Sequence, residues 1–195
     1  MKKLITLIGI LLIGVSCSDI YAPKESKYQI TQGGHESRVV GGLPSSKLRT
    51  MKSNTLSFIA RFDESARYDL GNNNQFDINK LMGFSDCNSL HHENSIRFGW
   101  RYSIEKDNIE IFAYAYSRGV MKFYYMGDVA LNENVHYQIQ ILDDVFSLQL
   151  NHGNGLAIER TASCNNGLYY MLFPYFGGDE PAPHDVSIFI EELVH

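Results

Sequence analysis

No stretch after residue 16 is long and apolar enough to cross a bilayer as a helix, a task that takes ~20 residues. The chain also lacks a sustained 3.6-residue apolar period, internal repeats and low-complexity runs in its body, so neither a helical nor a repeat architecture is expected. Positive charge is not in excess: 17 Lys and Arg stand against 22 Asp and Glu, for a net charge of −5. Removing Lys2 and Lys3 subtracts two more positive charges and gives −7. That balance argues against a nucleic-acid partner, which asks for basic stripes. No phosphate loop, nucleotide fingerprint or nucleophilic Ser/His/Asp arrangement can be read. Facing carboxylates that would hydrolyse a glycoside are missing too. Asp143-Asp144 and Glu191-Glu192 are adjacent pairs, so their side chains diverge on a strand. Cysteine is scarce, at three residues.

What is present begins at the N-terminus. Met1-Lys2-Lys3 precedes an apolar run from Leu4 to Val15, the two leading regions of a secretory signal. Gly14-Val15-Ser16 then crowds Cys17 with small residues. This resembles the lipobox of bacterial lipoproteins, with Gly14 where Leu is usual at −3. The resemblance implies a signal peptide of residues 1–16, a diacylglycerol on the Cys17 thiol, and a lipid-anchored place in the bacterial envelope, at the outer membrane or cell surface. The alternative is an ordinary signal with an incidental cysteine. Residues 17–54 are rich in Ser, Gly, Lys and Pro, with Gly33-Gly34 and Gly41-Gly42, and are expected to be a flexible tether. The other reading of this segment is an N-terminal strand, with Arg38-Val39-Val40 able to pair. If Cys17 takes lipid, Cys87 and Cys164 remain, both in polar, turn-like settings. An oxidising compartment favours pairing them, and the long loop so closed would contribute about 4 kcal/mol. Two free buried thiols are the alternative.

From residue 55 the apolar period is two. Leu56, Phe58, Ala60 and Phe62 alternate with polar neighbours; so do Phe98, Trp100 and Tyr102, and Tyr137, Ile139 and Ile141. Ile109, Ile111, Ala113 and Ala115 share one face of a strand; Glu110, Phe112, Tyr114 and Tyr116 share the other. About nine or ten short strands with turn residues between them predict an all-β, two-sheet antiparallel sandwich over residues 55–195. Asp77 to Met82 reads as one short helical turn. Strand number and the last hairpin resemble the concanavalin A-like jelly roll of lectins, glucanases and polysaccharide lyases. That hairpin runs from Leu172-Phe173-Pro174-Tyr175-Phe176-Gly177-Gly178 through Ala182-Pro183-His184-Asp185 into Val186–Ile190. His184-Asp185 is expected to fix the start of the closing strand through side-chain-to-backbone bonds.

The candidate surface is the polar face of the central strands. Arg97 and Arg101 project together, as do Tyr114 and Tyr116 with Tyr124 nearby, and His136, Gln138 and Gln140. Aromatic faces cover sugar C–H patches, and amides and guanidinium groups bond vicinal hydroxyls, so such a row suits a glycan. The competing reading is core tyrosines and an ordinary solvated face. A catalytic reading comes from resemblance to alginate-lyase-like jelly rolls, which use a Gln-x-His pair, an arginine and a tyrosine near Tyr-Phe-Lys-Ala-Gly. Here His136-Tyr137-Gln138 holds the pair in reversed order and Tyr175-Phe176-Gly177-Gly178 lacks the lysine. That resemblance implies His136, Gln138, Arg101 and Tyr175 as the catalytic set. A structural or adhesive envelope protein is the third reading. His91-His92-Glu93 matches no zinc spacing. Asn72-Asn73-Asn74 and Asp179-Glu180 offer oxygens of the kind calcium takes, but they read better as solvated loops, and no cofactor is expected.

Overall fold

The structure is a computed structural model that describes residues 25–41, 49–160 and 169–193. The expected signal peptide, Cys17 and Cys164 lie outside the described residues. In chain order the strands are β1 (Ser26–Ile30), β2 (Ser37–Val39), β3 (Thr50–Met51), β4 (Thr55–Phe62) and β5 (Asn79–Ser85). There follow β6 (Ser95–Ser103), β7 (Asn108–Ser117), β8 (Val120–Val129) and β9 (Val135–Leu142). The last are β10 (Val145–Leu150), β11 (Leu156–Glu159), β12 (Tyr169–Leu172) and β13 (Val186–Leu193). They form a seven-stranded sheet, β11-β10-β9-β4-β13-β1-β2, and a six-stranded sheet, β3-β12-β5-β6-β7-β8. Every strand pairing is antiparallel, which gives the expected jelly-roll sandwich.

The core lies where the two-residue periods of both sheets meet. Leu56, Phe58, Ala60 and Phe62 of β4, and Val135, Tyr137 and Ile139 of β9, turn inward from the larger sheet. Ile96, Phe98 and Trp100 of β6, and Ile109, Ile111 and Ala113 of β7, answer from the smaller one. Phe58 stacks on Tyr137 at 5.1 Å, and Phe98 meets the Tyr137 ring edge-on at 5.0 Å. Offset and edge contacts of this kind add to the burial of the rings themselves.

Two expectations need correction. The stretch before residue 55 is not wholly a tether. Tyr28 and Ile30 of β1 are buried, and β1 pairs with β13 along its whole length, from Ser26↔Ile190 to Ile30↔Val186. Arg38-Val39 belongs to β2, which pairs with β1. The other correction concerns Asp77–Met82. The helical turn lies earlier, a 3-10 turn at Asn73–Phe76 whose start is capped by the Asn72 side chain accepting from Asn74 N at 2.8 Å. Asn79 onward is strand, with a register shift between Lys80 and Gly83 that breaks the alternation. The expectation for His184-Asp185 agrees with the structure. His184 Nε2 lies 2.9 Å from Ser65 O, and the Asp185 carboxylate accepts from Gln32 N at 2.8 Å and Gln29 Nε2 at 2.9 Å.

Candidate functional site

The outward face of the six-stranded sheet carries a groove of about 710 Å³. Register builds its floor. Arg97 of β6 lies opposite Tyr114 of β7, which lies opposite Phe123 of β8; Ser95 lies opposite Tyr116. On the other flank Gly83 of β5 stands beside Arg97. The strands approach so closely there that a Cβ on Gly83 would sit 2.2 Å from Ile96 O and 2.3 Å from Arg97 Cβ. The segment Phe173–Gly178 walls one side. It is bridged to β5 by Lys80 N donating to Tyr175 O at 2.8 Å and Tyr175 N donating to Lys80 O at 3.0 Å. Tyr175 stacks on His35 at 5.2 Å, and His35 Nδ1 lies 3.0 Å from Phe176 O. His92 meets the Tyr116 ring edge-on at 5.5 Å.

Electrostatically the groove is unusual at Arg97. Its side chain is buried, with the residue only 7% exposed, yet it makes no hydrogen bond or ion pair with any described residue, and Nε is wholly enclosed. Burial pushes its pKa down to about 10, opposed by the nearby hydroxyls of Tyr114, Tyr116 and Tyr175. It therefore stays a cation at neutral pH. Lys80 shares the groove, donating from Nζ to Gly177 O at 2.9 Å and lying 5.1 Å from the Tyr114 ring centre. Burial first, and then repulsion from Arg97, bring its pKa to about 8, with Asp77 pulling the other way. Tyr114 is raised above the ordinary phenol range by burial and by its hydrogen bond with Tyr116. Neither cation is hydrogen-bonded to a carboxylate among the described residues, although Glu36 and Asp179 also line the groove, and such a pair of cations can take an anion.

Of the residues expected from sequence, Arg97, Tyr114, Tyr116 and Tyr175 come together here. Tyr114 and Tyr116 pack with Phe112 and Ile78 on the open face, separate from the core between the sheets. Arg101 projects from the same face as Arg97 but is engaged. Its Nε donates to Glu110 Oε2 at 2.6 Å and its guanidinium lies 5.0 Å from the Phe112 ring centre. Tyr124 lies opposite Ala113 and so faces away from the groove; its neighbours Phe123 and Tyr125 turn toward it. His136, Gln138 and Gln140 sit on the outward face of the other sheet, where His136 Nε2 lies 2.8 Å from Ser57 Oγ and its ring stacks on His152 at 4.2 Å. The set His136, Gln138, Arg101 and Tyr175 is thus split between two sheets and forms no single site. Sequence reading missed Lys80, because its strand looked helical, and His35, because its segment looked like tether. His91 and His92 line the groove, and among the described residues no three His, Cys, Asp or Glu cluster in a way that holds a metal. Asn74 instead donates from its amide to Glu180 Oε1 at 2.9 Å.

No protein-family model and no curated protein matches the chain. Solved structures do. The chain is similar to the alginate lyase from Klebsiella pneumoniae, with a TM-score of 0.54 and 14% identity over 70% of this chain and 56% of that one. It thus spans little more than half of that enzyme's length. It is also similar to alginate lyase AlyC3, with a TM-score of 0.50 and 11% identity over 85% of this chain and 87% of that one. The same enzyme in complex with dimannuronate gives a TM-score of 0.50 and 11% identity, over 85% and 86% of the two chains. At these identities the likeness is one of architecture, and the architecture held in common is a jelly-roll β-sandwich.

Proposed function

We propose that the groove of the six-stranded sheet binds an acidic glycan without turning it over, in a protein held at the bacterial envelope by a lipid on Cys17. The observation that carries this reading is Arg97, a buried cation with no partner among the described residues, set among tyrosines. A carboxylate supplied by a sugar would complete it with charge-assisted hydrogen bonds. Two of the similar solved structures are of enzymes named for alginate, one of them holding dimannuronate, which supports a sugar ligand. Calorimetric titration against a panel of uronate-bearing and neutral oligosaccharides tests it. Binding confined to the acidic members is expected; silence across the acidic members overturns it.

A second reading uses the same groove as a lyase, and Lys80 favours it. With a pKa near 8 beside Arg97, a fraction of Lys80 is neutral and can accept a proton. Arg97 would neutralise the uronate carboxylate, Lys80 would take the proton from the adjoining carbon, and Tyr175 would protonate the departing glycosidic oxygen as the C–O bond breaks and a C=C bond forms. Ultraviolet absorbance of such an unsaturated product separates the readings. A flat trace with uronate polymers keeps the binding protein; a rising trace that Lys80→Met abolishes makes it a lyase.

Lys80 also sets a pH dependence. Binding of an acidic glycan should weaken as pH rises through about 8, and Lys80→Met should show weak, nearly constant affinity between pH 7 and 9. Stability runs the other way. The folded pKa lies below the ordinary value of 10.5, so the cost of a charged Lys80 is fully present below pH 8. It is relieved as pH rises above that, because the unfolded chain then holds more protons. Melting temperatures of wild type and Lys80→Met, compared from pH 7 to 9.5, read this directly.

The anchor has its own test. Eight residues, 18–25, separate Cys17 from β1 and span at most ~28 Å when extended, which would hold the domain close to the membrane. A mass spectrum of the mature protein should show an N-terminal Cys17 carrying diacylglycerol; an unmodified Cys17 removes the anchor. The same spectrum should be lighter by two hydrogens for a Cys87–Cys164 disulfide. Asp86, beside Cys87, is bonded to Arg160, four residues ahead of Cys164, which supports that pairing.

A further inference from the structure

The groove does not end at Arg97. Beyond Tyr114 it opens into a second hollow of about 440 Å³ that shares Lys80, Tyr114, Gly178 and Asp179 with the first. Two large rings line this end, Phe123 and Phe76, and a third, Tyr125, shares Phe112 as a neighbour with Phe123; all face water, Phe123 50% exposed, Tyr125 54% and Phe76 67%. Large rings clustered at one end of an open groove mark a contact surface rather than scattered surface residues. They are held in place from beneath. Phe112 meets Phe123 edge-on at 6.0 Å and Tyr125 edge-on at 5.9 Å, and Arg101 lies 5.7 Å from the Phe76 ring centre. Such contacts fix the rings before any ligand arrives.

The charge of this end differs from that of the Arg97 well. Asp77 lines the second hollow alone, Asp179 lines both, and Glu36 lies on the first. A carboxylate accepts hydrogen bonds from sugar hydroxyls but repels a second carboxylate at close range. Lys80 and Asp179 are common to both hollows; what distinguishes them is Arg97 in the first alone and Asp77, Phe76 and Phe123 in the second alone.

Resting on the anionic-glycan reading of the Arg97 well, we propose that Phe76, Phe123 and Tyr125 form a shelf for the uncharged sugars next to the acidic one. The ligand is then a mixed glycan, an acidic sugar flanked by neutral ones, rather than a homopolymer of uronic acid. The neutral sugars lay their C–H faces on the rings, and Asp77 and Asp179 take their hydroxyls. The occupant of the shelf is the same chain that fills the well, because the two hollows are continuous and share their lining.

The experiment is calorimetric titration of wild type, Phe123→Ala/Tyr125→Ala and Asp77→Asn/Asp179→Asn. Three probes of similar length serve: a glucuronic-acid-substituted xylo-oligosaccharide, an oligomannuronate and unsubstituted xylohexaose. Both rings are exposed, so the first double variant should melt where wild type does. Wild type is expected to favour the mixed probe over oligomannuronate by at least about tenfold. The aromatic variant should lose that preference yet keep weak binding to both acidic probes. The Asp variant should gain affinity for oligomannuronate. Equal or tighter wild-type binding of oligomannuronate overturns the shelf and leaves the Arg97 reading intact. Failure to bind either acidic probe overturns both. If the aromatic variant keeps wild-type glycan affinities but converts a dimer to a monomer in sedimentation, the shelf is a contact between copies along β8, and the proposal is overturned.

Discussion

Arg97→Met is expected to melt higher than wild type and to lose nearly all affinity for acidic glycans. Arg97 occupies a buried position without a carboxylate or carbonyl partner among the described residues. Its charge is therefore poorly compensated in the free protein. Replacing a buried charge by an apolar side chain of similar length is neutral or stabilising, by roughly 1–4 kcal/mol where the original compensation is poor. About 1 kcal/mol would raise the melting temperature of a chain this size by a few degrees. Loss of the guanidinium removes the charge-assisted contact to the ligand, worth on the order of 2–3 kcal/mol, or roughly 30- to 150-fold in affinity. Arg97→Lys keeps a charge but not the planar fork, and should fall between the two in binding. Thermal melts and titrations on the same three samples are sufficient. A variant that melts lower and still binds as wild type would show that Arg97 is structural.

Asp86→Ala is expected to cost about 3–5 kcal/mol of folding stability. Asp86 ends the β5 side of the small sheet, and Arg160 follows β11 at the edge of the large one. Their side chains are 2% and 6% exposed and meet through Arg160 Nε to Asp86 Oδ2 at 2.6 Å and Arg160 Nη2 to Asp86 Oδ1 at 3.0 Å. Arg160 also donates from Nη1 to Asp143 O at 3.2 Å and from its backbone N to Asp144 O at 2.7 Å. The pair thus joins both sheets and the β9–β10 turn at one end of the sandwich. Truncating Asp86 removes the carboxylate that takes two hydrogen bonds from a buried guanidinium. The companion variant Asp86→Leu/Arg160→Met removes both charges and should recover most of the loss. Urea unfolding of the single and double variants gives the coupling energy. A single-variant loss under about 1 kcal/mol would mean that the pair does not hold this end together.

The two arginines illustrate what could be read from sequence. Period two placed Arg97 and Arg101 on one face, and the structure agrees. What separates them is the residue across the ladder. Arg101 faces Glu110 and is neutralised; Arg97 faces Tyr114 and is not. A period tells which residues share a face of one strand, but not which strands share a sheet. Arg97 with Tyr114 was legible because β6 and β7 are consecutive. The grouping of His136 and Gln138 with Arg101 and Tyr175 failed because β9 belongs to the other sheet. Lys80 was hidden by the register shift that interrupts its strand. β1 was hidden for a different reason. With two inward residues, Tyr28 and Ile30, its local pattern is too short to stand out from a linker. Its partner, β13, lies at the far end of the chain, and pairing over such a separation leaves no local mark.

The placement of β1 has a mechanical consequence. It is hydrogen-bonded on both edges, to β13 and to β2, and it is the first strand after the N-terminal segment. A force drawn through that segment along the strand loads both ladders in shear, so their bonds must give way together instead of one at a time. The groove lies on the opposite sheet. Were a polymer held there and the N-terminus anchored, the tension between them would be carried through the sandwich core and borne by β1, which is braced on both edges.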